Sequence, residues 1–274
     1  MVIVNITSIY SRLDLCCATV WSLIQQERLP DKISIWLSHD AYMADKGVKN
    51  SPEWVEQLNK IHNIISVNFT DNIGPYRKII PALRQYPADY TLVYADDDVV
   101  YGKKWLSELC KTYENYNGEY VVASRVRLMK KNIFGRYRSY IDFPLCTESR
   151  LLSEDLLITG VGGCILNSSH IDRALIEDNI FLNLAPRTDD IWLSKIILLS
   201  GSKVMVNPSS LAQIFTIEHD NEALSSLNTT YSKPLRKFNF YRRVKNKLLR
   251  YFGVSITNND ISIKKVNNHF NYTR

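Results

Sequence analysis

The sequence predicts an α/β domain built on a mostly parallel central sheet flanked by helices. Three observations carry this. Short β-branched runs alternate with helix-period segments from residue 2 to residue 199, the most apolar strand runs straight into three consecutive aspartates, and no linker or internal repeat divides the chain before residue 232. With 274 residues, 45% of them hydrophobic, the chain can bury a substantial core.

Val2–Ser8 reads as the first strand, followed by a helix from about Leu13 to Gln26 with Leu15, Val20, Leu23 and Ile24 on one face. Ile33–Leu37 alternates as a second strand, and a helical stretch at Glu53–Ile61 leads to a third at Ile64–Phe69. Gly74-Pro75 places a proline where the first turn of a helix accepts one, and that helix is expected to reach about Arg84, bent or shortened by Pro81. Tyr90–Ala95 is the strongly apolar strand, which puts Asp96, Asp97 and Asp98 at its carboxyl end. Lys103–Tyr113 reads as a helix and Tyr120–Ser124 as a strand, while residues 126–150 are polar, aromatic and irregular and are expected to form a long loop over the site. Gly160-Val-Gly-Gly leads into Cys164-Ile-Leu, and Thr188-Asp-Asp opens a helix over Ile191–Leu199 that Gly201 ends.

Charge divides the chain. Of the net +6, Lys233–Arg250 holds eight Lys or Arg and no acid, and Tyr251–Arg274 adds three bases and one acid, leaving residues 1–232 at −4. The partition is a catalytic domain at 1–232 and a basic C-terminal extension at 233–274. In that extension Phe238, Tyr241, Val244, Leu248 and Phe252 recur at helical spacing among Arg236, Lys237, Arg242, Arg243, Lys245, Lys247 and Arg250. Residues 233–252 therefore read as a basic amphipathic helix, suited either to an anionic membrane surface or to packing on the domain with its charges solvated. The acidic body and the lack of a recognition motif exclude nucleic acid as a partner. Five scattered cysteines without a CxxC pair fit a reducing compartment. No stretch approaches the length of a membrane span and the N-terminus lacks a basic lead, so the expected location is cytoplasmic, with peripheral association at the inner face of the membrane.

Three adjacent aspartates repel one another, and a divalent cation is their natural compensation, because Mg²⁺ and Mn²⁺ take hard oxygen ligands and leave positions for water and phosphate. In an extended chain Asp96 and Asp98 project to one side and Asp97 to the other, so one acid can bind metal while another receives sugar or ribose hydroxyls, which makes Asp97 a binding candidate beside Asp96 and Asp98. A solvated acidic turn is the alternative, which the buried approach of the apolar strand disfavours. Asp189 and Asp190 sit where a helix macrodipole stabilises negative charge; one can cap the helix and the other can serve as a general base toward an acceptor hydroxyl. Gly160, Gly162 and Gly163 permit close approach of backbone to a ligand, or a turn required by packing, and their spacing is neither a P-loop nor GxGxxG. His219, in Ile217-Glu-His-Asp, is a candidate imidazole for the metal or diphosphate, with a structural role as the alternative.

Taken in order over about residues 1–220, these elements resemble the family 2-like bacterial glycosyltransferases of surface polysaccharide synthesis. The resemblance rests on the Ile3–Ser8 strand, Asp40 after the second strand, Asn72-Ile-Gly-Pro-Tyr-Arg-Lys, Tyr94-Ala-Asp-Asp-Asp, Gly160-Val-Gly-Gly and Thr188-Asp-Asp-Ile-Trp-Leu. It implies a GT-A-type fold, a single Rossmann-like domain, and Mn²⁺ or Mg²⁺ with a nucleotide-sugar co-substrate, a UDP-sugar by family habit. Thr7 and Asp40 would border the nucleobase, with Asn72, Arg77 and Lys78 near base or phosphate. Asp96 and Asp98 match the DxD pair, Asp98 being the candidate for direct coordination. Asp190, with Asp189 beside it in place of the commoner Glu, matches the base of an inverting transfer. Ser38-His-Asp-Ala stands where the family has DDGS. The acceptor would be a saccharide or polyprenol-linked hydroxyl in lipopolysaccharide, O-antigen or capsule. A sugar-phosphate nucleotidyltransferase is the alternative enzyme, although its Gly-rich N-terminal signature is missing. A non-catalytic module that binds glycan or membrane is the alternative of another class.

Overall fold

The computed structural model describes residues 1–217 and 240–272. Its strands are β1 (Val2–Thr7), β2 (Lys32–Leu37), β3 (Ile65–Phe69), β4 (Thr91–Tyr94), β5 (Val99–Tyr101), β6 (Val121–Ala123), β7 (Val126–Leu128), β8 (Leu151–Leu152), β9 (Leu156–Ile158), β10 (Cys164–Leu166), β11 (Val204–Val206) and β12 (Ile214–Thr216). The helices are α1 (Leu13–Leu23), α2 (Glu53–Asn59), α3 (Ile80–Gln85), α4 (Trp105–Asn115), α5 (Ala174–Glu177), α6 (Phe181–Leu184), α7 (Asp189–Leu199), α8 (Pro208–Leu211), α9 (Phe240–Tyr251) and α10 (Asn258–Tyr272).

An eight-stranded sheet in the order β3-β2-β1-β4-β10-β6-β11-β8 forms the centre. Pairings β3·β2, β2·β1, β1·β4 and β6·β11 are parallel, whereas β10 runs antiparallel between β4 and β6 and β8 antiparallel to β11. Side-chain alternation splits the strands between two cores. Ile3, Trp36, Leu92 and Tyr94 enter one cluster with α3 and α7; Val4, Ile6, Ile33, Ile35 and Val93 enter the other with α1 and α4. A sheet buried on both faces has no polar side, so these strands read as apolar runs. Asn5, a polar residue fully buried in β1, is satisfied: its Nδ2 donates to the Ile3 and Val93 carbonyls and its Oδ1 accepts from Trp36 Nε1 at 3.0 Å.

Two sequence expectations change. The single helix expected over Gly74–Arg84 is broken into a 3-10 turn at Gly74–Lys78 and α3, the chain turning at Ile79 (φ −144°, ψ −36°). Pro81 lies in the first turn of α3, where its missing N–H costs nothing, and a continuous helix would have placed it in the interior. The turn aims both Arg77 and Lys78 inward. Residues 126–150 are also not a featureless loop: β7 pairs antiparallel with β9, and Lys131 bridges to Tyr137. Strands of three residues or fewer carry too little periodicity to be read from sequence.

The last helix was not anticipated. Ile263, Val266 and Phe270 of α10 enter the same core as α7, with the Phe270 ring 5.4 Å from Trp192. Residues 233–239 of the expected basic helix lie outside the described residues; its remainder is α9. Among the described residues no helix is long and apolar enough to cross a membrane.

Candidate functional site

Strand order reverses beside β1: β2 and β3 extend to one side and β4 to the other. Neighbouring connections leave in opposite directions at such a point, so a crevice opens at the carboxyl ends of the strands. The crevice here is a cavity of about 850 Å³. Thr7 and Ser8 after β1, Asp45 and Asn72 from the loops after β2 and β3, Asp96–Asp98 after β4, and Asp189 and Asp190 at the start of α7 line it.

The three aspartates differ in environment. Asp97 is 2% exposed and held on both oxygens, by Ser8 Oγ at 2.5 Å and Arg12 Nη2 at 2.7 Å. Burial pushes its carboxyl up to about 6, against the pull of Arg12. Asp97 thus anchors β1 to the acidic turn. Asp98 keeps a quarter of its side chain exposed at the cavity, with Arg12 Nη1 3.6 Å away. Asp96 Oδ1 accepts from Lys78 Nζ at 2.8 Å.

Lys78 is the centre of the site. Its ammonium lies 2.8 Å from Asp96, 2.7 Å from Asp189 and 3.9 Å from Asp190, on a side chain only 7% exposed. Burial opposes its charge, but Asp189, Asp96 and Asp190 outweigh that cost and raise its pKa well above the usual lysine value. One buried cation therefore joins the acidic turn after β4 to the acids opening α7. Asp190 Oδ1 also accepts from Gly160 N at 2.9 Å, which fixes the carboxylate's orientation. Burial first, and Asp189 second, raise Asp190 well above the ordinary carboxylate range. Gly160 leaves the room this requires: a Cβ there would stand 2.4 Å from Lys78 Nζ and 3.1 Å from Asp190 Oδ1.

Arg77, 1% exposed, pairs with Asp45 at 2.8 Å and donates to the Ser8 carbonyl at 3.1 Å, fastening the 3-10 turn to β1. Asn72 Nδ2 bridges the Asp40 carbonyl (2.7 Å) and Asp45 (3.3 Å). Thr7 lines the cavity, but its hydroxyl donates to the Trp36 carbonyl.

Several sequence expectations therefore move. Asp40 is exposed and outside the cavity, and Asp45 is the buried carboxylate that its loop presents there. Lys78 Nζ is engaged by the carboxylates of Asp96, Asp189 and Asp190. Gly162 and Gly163 serve packing: a Cβ on Gly162 would meet Arg125 N at 2.8 Å, and one on Gly163, whose φ is +80°, would meet the Trp105 ring at 2.3 Å. His219 lies outside the described residues. Sequence reasoning missed Arg12, Asp45, Arg125, Tyr140 and Arg187, all of which line the cavity. Isolated residues in loops and 3-10 turns carry no periodic signal that could have found them.

A stability consequence follows from Asp97. Its folded pKa lies above the ordinary value of about 4, so the native state binds more protons than the unfolded chain in that window. That stabilisation is present below pH about 4 and lost as pH rises through about 6, at most about 3 kcal/mol. Melting temperature of the metal-free protein is expected to fall from pH 5 to pH 8, with Asp190 acting in the same direction. Asp97→Asn is expected to flatten the part of this slope below pH 7, as measured by thermal melts across the series.

No protein-family model matches the sequence, and no curated protein sequence does. Solved structures match in shape. The S. aureus TarS 1–349 structure in complex with UDP-GlcNAc aligns with a TM-score of 0.52 at 15% identity, covering 99% of this chain and 73% of that one. The mannosyltransferase PcManGT of Pyrobaculum calidifontis, in complex with GDP-Man and Mn²⁺, aligns at 0.48 and 13% identity over 76% of this chain and 55% of that one. GalNAc-T7 with UDP, GalNAc and Mn²⁺ gives 0.49 and 12%, over 81% and 44%. The sheet order, the crevice at the end of β4 and the superposition of nearly the whole of this chain on about three quarters of TarS 1–349 show a fold of the GT-A glycosyltransferase type.

Proposed function

We propose that the protein is an inverting glycosyltransferase that moves a sugar from a nucleotide-sugar donor, a UDP-sugar, to a hydroxyl of a saccharide or polyprenol-linked acceptor in bacterial lipopolysaccharide, O-antigen or capsule synthesis. One observation carries the reading: Lys78 holds Asp96, on the acidic turn, and Asp190, at the opposite wall, within 2.8 and 3.9 Å of a single ammonium. A donor diphosphate at the acidic turn and an acceptor hydroxyl at Asp190 would then meet across one cavity.

A divalent cation fits the residues present. Among the described residues five aspartates share ion pairs with Arg12 and Lys78, so this inner cluster keeps net negative charge. Asp98 with Asp96 would hold the ion. Among the described residues no group of three metal-ligating side chains exists, so the remaining ligands would be water and diphosphate oxygens, which is how Mg²⁺ and Mn²⁺ are usually held. Such an ion neutralises charge on a departing diphosphate. Arg125 and Arg187 line the cavity and are the chain's own cations for that charge. Asp190, oriented by the Gly160 amide, takes the proton from the acceptor hydroxyl, and inversion follows from attack opposite the leaving group.

Isothermal titration of UDP and GDP, with and without Mn²⁺, tests the reading. Metal-enhanced UDP binding that weakens at least tenfold in Asp98→Ala is the expected result. No binding of either nucleotide under any condition would overturn it and leave a non-catalytic module.

A further inference from the structure

The two most exposed large apolar side chains among the described residues sit side by side at a hairpin tip that does not line the cavity. Residues 130–138 form a hairpin closed by the Lys131–Tyr137 bridge. Asn132, 6% exposed, fixes its turn: Oδ1 accepts from Phe134 N (2.9 Å) and Arg136 N (3.1 Å), and Nδ2 donates to the Tyr251 carbonyl (3.1 Å). At the tip, Ile133 is 81% and Phe134 66% exposed, the two most exposed large hydrophobic residues among those described. The Phe134 ring stacks 6.2 Å from that of Phe252, itself 46% exposed just past α9, and Leu248 one turn earlier is 52% exposed. A turn held this firmly has no internal reason to present an isoleucine and a phenylalanine to water.

The rim is cationic. Lys130, Lys131, Arg136 and Arg138 lie on the hairpin and Lys247 and Arg250 in the last turns of α9, and residues 129–141 and 246–256 contain no acid. Two of these bases are already paired, Lys131 with Asp155 and Arg250 with Asp142. A second copy of the chain would bring like charge against like in a two-fold contact, which disfavours self-association. An apolar tip inside a ring of Lys and Arg is complementary to an anionic bilayer, whose phosphates meet the rim while its acyl boundary accepts the tip.

The patch is tied to the mouth of the cavity. Ser139 N donates to the Arg250 carbonyl at 3.0 Å, and Ser139 Oγ and Tyr140 N donate to Asp260 at 2.9 and 2.7 Å. Tyr140 and Asn259, adjacent to those contacts, line the cavity. We propose that the 130–138 hairpin and the end of α9 form a membrane-docking surface, with Ile133, Phe134 and Phe252 entering an anionic bilayer and the surrounding bases binding its phosphates. Docking holds the cavity beside the lipid surface, where an acceptor carried on a lipid would be presented. The inference stands on the patch alone and does not require the donor reading.

Flotation of the full chain with vesicles of equal parts phosphatidylglycerol and phosphatidylcholine, against pure phosphatidylcholine, tests it. Wild type is expected to float with the anionic vesicles, less so at high salt. The double variant Ile133→Ser/Phe134→Ser is expected to lower partitioning at least tenfold with an unchanged melting temperature, since both side chains are exposed. Lys130→Glu/Arg136→Glu is expected to lower it through the charge component. Wild type failing to float, or the Ser double variant floating as wild type does, overturns the proposal. A dimer that the Ser variant converts to monomer without any flotation assigns the patch to self-association and overturns it equally. UDP titration of the same preparations separates the two readings: lost nucleotide binding with flotation intact counts against the donor site alone.

Discussion

Asp190→Asn is expected to reduce turnover by about 10²- to 10⁴-fold, the range for removal of a positioned general base, while UDP affinity stays within about threefold. Asn keeps an acceptor oxygen for the Gly160 amide, so the fold and the donor side remain as they are. What it loses is the ability to take a proton. Burial and Asp189 raise the pKa of Asp190, so the wild-type rate should climb with pH as that carboxyl ionises, and the rising limb should vanish in the variant. Initial rates across pH 5.5–9 with UDP released from the donor as readout check this. A variant that retains more than about a tenth of wild-type turnover removes Asp190 from the role of base and leaves Asp189 as the remaining acid on that wall.

Lys78→Met should cost the most stability of any single change in the site. Removing one partner of a buried ionic cluster leaves uncompensated charge and typically costs about 3–5 kcal/mol, here with three carboxylates converging on the lost ammonium. For a chain of this length that corresponds to a drop in melting temperature on the order of 10 °C. Because the folded-state pKa of Lys78 is raised, its contribution is complete below the ordinary lysine value near 10.4, and the deficit should be present throughout neutral pH. The carboxylates freed by the substitution should bind cation more readily, so Mn²⁺ should restore more stability to Lys78→Met than it adds to wild type. Differential scanning calorimetry with and without Mn²⁺ measures both effects. Equal melting temperatures for variant and wild type would mean that the cluster is solvated and that Lys78 does not join its two walls. Gly160→Ala is a milder probe of the same geometry, because its Cβ would have to displace the ammonium 2.4 Å away.

Strands β1 to β4 and β6 and helices α1, α2, α4 and α7 were legible because a sheet buried on both faces concentrates Val, Ile and Leu into runs, and those runs alternate with segments of helical period. The acidic turn after β4 and the paired acids opening α7 were legible for a related reason: like charges placed together at the ends of apolar elements are costly and mark chemistry. Position in the chain could not reveal partners. Lys78 lies 18 residues from Asp96 and more than 100 from Asp189, and nothing in the local pattern joins them. Only the break between the 3-10 turn and α3 aims that side chain inward.

What the sequence by itself determined was the α/β class, the parallel half of the sheet and the aspartates that face the cavity, since these follow from periodicity and from charge at element ends. Tertiary structure decided the rest. It showed that Asp97 is an anchor and that Asp45, rather than Asp40, lines the cavity; it also put the last helix in the core and brought Ile133 and Phe134 beside Phe252. The physical reason is the same in each case. Burial, ion pairing and exposure depend on which segments meet in space, and loops and two- or three-residue strands carry no repeat from which that meeting could be read.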